Sequence, residues 1–144
     1  METRLEAQLS FELQELYLEN KEWLSNILFL EDEMRFFQQT FQKLLESPIK
    51  QSNSEQVEFI NSSLIALQER RNHLKGVLNN RKEVLEAMFN NEAKAITIAF
   101  IEEDNAIVNE IKALLATDQN VKKELFALIE ILHSKIKTQL YPIL

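Results

Sequence analysis

Every seventh residue from Leu9 to Leu44 is large and apolar: Leu9, Leu16, Trp23, Leu30, Phe37 and Leu44. Leu13, Asn20, Ile27, Met34 and Phe41 form a second row four residues later, interrupted only by Asn20. Spacings that alternate four and three place both rows on one stripe of an α-helix, the seam of a coiled coil or helical bundle. The pattern predicts a helix over about residues 3–46, roughly 65 Å long at 1.5 Å per residue. Pro48 should stop it, because proline disfavours helical geometry in the residue before it. One glycine and two prolines in 144 residues leave too few turn formers for a sheet protein, while 45% hydrophobic content can fill a core. The expectation is a single all-α domain spanning residues 1–144, an antiparallel bundle of long helices.

The segment IKQSNSEQ reads as a loop, with Ser52 and Glu55 spaced as a capping box, so a second helix should begin near residue 53. Val57, Ile60, Leu64, Leu67, Leu74, Leu78, Leu85 and Met88 hold one heptad phase, with Arg71 and Arg81 at seam positions. The phase runs through Gly76 and Asn79-Asn80. A helical glycine costs only about 1 kcal/mol, so the helix should continue there. The phase shifts near Phe89-Asn90-Asn91, which places the second turn. Beyond it the stripe is Ala93, Ile96, Phe100, Ile107, Ile111 and Leu114, and the run AITIAFI reads as buried helix despite its β-branched residues. At ATDQN, Thr117 could cap a fourth helix with Asp118 in its first turn, carrying Val121, Leu125, Leu128, Leu132 and Ile136. Four helices are expected in preference to three, although Leu114, Asp118 and Val121 also keep phase. The closing LYPIL should fold back over the bundle.

Net charge is −7, spread unevenly: residues 1–46 hold ten acids and four bases, whereas residues 47–91 hold five and six. An acidic chain repels phosphate backbones, so no nucleic-acid partner is expected. No signal peptide is read in METRLEAQLS, and no window holds 18 apolar residues without charge, so no membrane association is expected. With no cysteine, disulfides and thiolate sites are excluded, and the default location is the cytoplasm. Folding the first two helices into a hairpin brings Arg81 beside Glu19, Asn20 and Glu22, and Arg71 within about a turn of Glu31 and Asp32. A buried polar layer of Asn20, Arg71, Arg81 and Glu31 would then fix the register, since a misplaced arginine would be desolvated without a partner. The alternative is that both arginines snorkel past the seam edge.

No phosphate loop and no nucleophile motif is present, so no catalytic residues, no cofactor and no enzyme activity are expected. Glu130 and His133 have the Glu-x-x-His spacing of carboxylate-bridged metal bundles, with Glu31, Glu102 and Glu103 as further carboxylates. On the helical wheel the pair falls on the flank and outside of the stripe, so a metal site is only an alternative. Another is a small-molecule or lipid cavity among Trp23, Met34, Phe37, Met88 and Phe100, residues that more often just pack together.

The feature left over is a second apolar row on the first helix. Phe11, Leu18, Phe29 and Phe36 follow one another at intervals of 7, 11 and 7 residues, opposite the seam. Single exposed apolar residues need no explanation, but an ordered row does. Either the chain's other helices flank the first one on both sides, or the row meets a second copy, or it meets another helical protein. The expected function is therefore non-enzymatic: a scaffold or adaptor, homodimeric through Phe11, Leu18, Phe29 and Phe36.

Overall fold

The computed structural model describes residues 4–47, 53–90 and 96–140, and every regular element among them is an α-helix. Helix α1 spans Arg4–Leu45, α2 spans Ser54–Asn90 and α3 spans Ile98–Leu140. The expected roles of Pro48, Ser52, Asn91 and the LYPIL segment lie outside the described residues.

Three helices, not four, is a correction. Helix α3 continues through Ala116–Asn120 without a break. Thr, Asp and Asn each cost a helix interior less than about 1 kcal/mol. Leu114, Asp118, Val121 and Leu125 all occupy the seam and are buried, and ending the helix at Thr117 would cast that phase out of register. Helix α2 likewise runs through Gly76 and Asn79-Asn80, as the continuous phase of Leu74, Leu78 and Leu85 requires.

The helix starts show local chemistry. Asn53 heads α2, its carbonyl accepting from Val57 N at 3.0 Å and its Nδ2 donating to Gln56 Oε1 at 2.9 Å. Thr97 caps α3: its Oγ1 accepts from Phe100 N at 3.1 Å and its carbonyl from Ile101 N at 3.2 Å. Part of AITIAFI is therefore the approach to a helix, and its threonine is a cap rather than a core residue.

The chain divides into two compact units, each drawing on all three helices. The first comprises residues 1–30 and 71–113, the second residues 31–70 and 114–144. In the first, Ile27, Leu30, Leu74, Leu78, Leu85, Ile107 and Ile111 form the buried core, and pairing of Tyr17 with Glu86 and of Asn20 with Leu78 makes α1 and α2 antiparallel there. In the second, Met34, Phe37, Phe41 and Leu44 of α1 are buried, as are Ile60, Leu64 and Leu67 of α2 and Leu114, Val121, Leu125 and Leu128 of α3. At about 1.5–3 kcal/mol for each fully buried large apolar side chain, this seam outweighs the local cost of the polar residues it threads through.

Candidate interaction surface and buried polar clusters

The second row on α1 is open. Phe11, Leu18, Phe29 and Phe36 are 60%, 56%, 68% and 60% exposed, although the seam residues Ile27, Leu30, Met34 and Phe37 of the same helix are at most 3% exposed. The chain's own helices therefore leave this side of α1 uncovered, and the arrangement in which they flank it on both sides is not the one adopted. The residues bordering the row, Gln14, Glu15, Glu22, Ser25 and Asp32, are also exposed. Phe36 meets its neighbour's ring, with the Phe37 centroid 6.1 Å away at a tilt of 58°. Chemically, the surface is an apolar ridge with acidic margins.

In the first unit, Asn20 and Arg81 are buried polar residues, as the seam positions implied. Asn20 Nδ2 donates to the Leu78 carbonyl at 3.2 Å, using that oxygen's spare lone pair. Arg81 draws its counter-charges from α3: Nη1 lies 3.5 Å from Glu103 Oε2, and Nη2 lies 3.3 Å from Asp104 Oδ1 and donates to the Phe100 carbonyl at 3.3 Å. Its guanidinium carbon stands 3.9 Å above the centre of the Phe100 ring, a cation–π contact. With its side chain only 5% exposed, Arg81 does not snorkel. Burial raises the Asp104 carboxyl above its ordinary range; Arg81 opposes this and the charge of Glu19 adds to it. Arg71 is buried as well and donates to Asn72 Oδ1 at 2.8 Å, while Glu31, in the second unit, is half-buried and pairs with Arg35 at 3.6 Å.

The second unit holds a cluster that sequence reasoning missed. Asp118 is buried at a seam position of α3, and Lys122 one turn later reaches Glu33 of α1, Nζ to Oε1, at 2.7 Å. The same ammonium stands 5.4 Å from the Phe37 ring centre, and Phe126 packs edge-on against Phe37 with centroids 6.2 Å apart. Desolvation lifts the Asp118 carboxyl to about 6. The neighbouring Glu33 raises it further, and Lys122 acts the other way. Asp118 Oδ1 is buried with no hydrogen-bond partner. The missed Asp104 had a legible signal, since position 104 is the seam site between Phe100 and Ile107. The Glu33–Lys122 pair had none, because it depends on how α1 and α3 align.

The residues weighed for a metal do not converge. Glu130 and His133 are not buried, Glu102 and Glu103 are exposed, and Glu130 and His133 belong to the second unit while Glu102 and Glu103 belong to the first. Among the described residues no group of three or more His, Cys, Asp or Glu is placed to hold a metal ion. Of the five residues weighed for a cavity, Met34 and Phe37 are packed into the core of the second unit, and Trp23, Met88 and Phe100 are half-buried in the first. The second unit does carry an open groove of about 380 Å³, lined by Arg35, Gln38, Gln42, Phe41, Asn61 and Leu64 among others. Its lining is rich in amides rather than apolar, which does not suit a lipid. Among the described residues, no helix is long and apolar enough to cross a membrane.

No protein-family model matches the chain, and no curated protein and no solved structure matches it either.

Proposed function

We propose that this chain is a non-enzymatic interaction protein, a scaffold or adaptor that forms a homodimer through the outer side of α1. The observation carrying this reading is the exposure of Phe11, Leu18, Phe29 and Phe36 on one helix whose opposite stripe is buried. An aromatic side chain carries about 150–250 Å² of surface, so four residues open to this degree hold on the order of 450 Å² per copy. Two copies together approach the roughly 1,000 Å² that a specific interface should bury, and the bordering side chains would supply the remainder. A chain without cysteine has no thiol at risk of oxidation, and nothing in its chemistry conflicts with work in the cytoplasm.

The test is molecular mass in solution at several concentrations, for the wild type and for Phe29→Glu combined with Phe36→Glu. Wild type should approach twice the 16.9 kDa of the chain as concentration rises. The double variant should stay at the chain mass with unchanged helical circular dichroism, because both sites are already exposed in the protomer. A wild type of single-chain mass up to 0.1 mM, or about that concentration, would remove the proposal, since millimolar affinity corresponds to only about 4 kcal/mol of binding.

A further inference from the structure

We infer that the two α1 helices of such a dimer pair antiparallel about a two-fold axis passing between Trp23 and Leu24, an inference that rests on the self-association proposed above. The open row has intervals of 7, 11 and 7 residues, so positions 11 and 36 share one midpoint with positions 18 and 29. Reversing the helix about that midpoint maps the row onto itself. In a two-fold interface, a residue that contacts a second one is contacted by it in return, so the same patch must fit its own reversed image. Phe11 then meets Phe36 of the second copy, Leu18 meets its Phe29, and no member of the row is left facing water.

A parallel pair would also bring apolar residues together, and the charges decide between the two. The exposed acids bordering the row are Glu15, Glu22 and Asp32. Parallel pairing would set each of the three against itself. Antiparallel pairing sets Glu22 opposite Ser25, leaves Glu15 opposite Asp32 as the one like-charged meeting, and brings the exposed Glu12 level with the exposed Arg35. It also opposes the two helix dipoles, which parallel helices would align side by side. Ser25 is small and exposed near the axis, where the two backbones come closest.

The chain has no cysteine, so one introduced thiol gives one labelled site per copy. Gln14→Cys and Ser25→Cys, both at exposed positions outside the row, would carry nitroxide labels for dipolar distance measurements in the full-length dimer. With helices about 8–10 Å apart and a rise of 1.5 Å per residue, the antiparallel pair predicts about 30 Å between labels at 14 and about 10–15 Å at 25. Short distances at both sites would overturn the antiparallel arrangement while leaving self-association through α1 standing. A dimer with long distances at both sites would overturn the inference and move the interface off α1. No dipolar coupling, together with single-chain mass, would mean that the self-association itself had failed.

Discussion

At the level of single residues, the cost of burying Asp118 is the clearest consequence of the seam. Its carboxyl is lifted from 3.8 to about 6, so between those values the folded chain holds a proton that the unfolded chain has released. The burden is absent below about pH 4, grows as pH rises, and is complete above about pH 6, where a rise of that size corresponds to about 3 kcal/mol at most. Asp118→Asn keeps a donor toward Glu33 without the charge. It should raise stability at pH 8 by about 1–2 kcal/mol and have little effect at pH 4.5, as read from urea midpoints. A wild type and variant differing equally at both pH values would show that the carboxylate charge is not the source. The heptad phase marks Asn20, Arg71, Arg81 and Asp118 as polar seam positions, and all four are buried. It does not reveal their partners, because Arg81 pairs across to Glu103 and Asp104 on a helix whose alignment the phase leaves open.

At the level of the helix, phase continuity proved a better guide than local breakers. Gly76 sits inside α2, and a Cβ built there would meet nothing within 4 Å. Its backbone has no positive φ, so alanine fits the same conformation. Gly76→Ala should stabilise the protein by about 0.5–1 kcal/mol by restricting the unfolded chain, and should raise the melting temperature by about 2–3 °C. A lower melting point would show that the open space around Gly76 is filled in solution. Phase continuity also explains why three helices form where four are expected. Thr117 and Asp118 look like a helix start when read locally, yet Leu114, Val121 and Leu125 stay in phase on either side, and burial of that stripe decides. Thr97 shows the opposite error: a β-branched residue in an apolar run reads as core, but its hydroxyl caps α3.

For the whole molecule, the acidic balance opposes the association proposed here. Each copy carries −7, and the segment holding α1 accounts for −6 of it, ten acids against four bases. Screening falls from about 30 Å at 0.01 M salt to about 3 Å at 1 M, so added sodium chloride should tighten the dimer severalfold, measured as its dissociation constant. Weakening with salt would instead indicate an interface held by ion pairs. The wheel alone disclosed the second row, because helical geometry follows directly from spacing. Whether that row was covered was not legible, since it depends on where α2 and α3 lie against α1. Burial of carboxylic acids has one further effect on the chain's surroundings. Asp104 and Asp118 grip hydrogen ions more tightly once folded than before. Refolding in a weakly buffered solution near pH 5 would therefore draw acid out of the medium, and each round of melting would release it again.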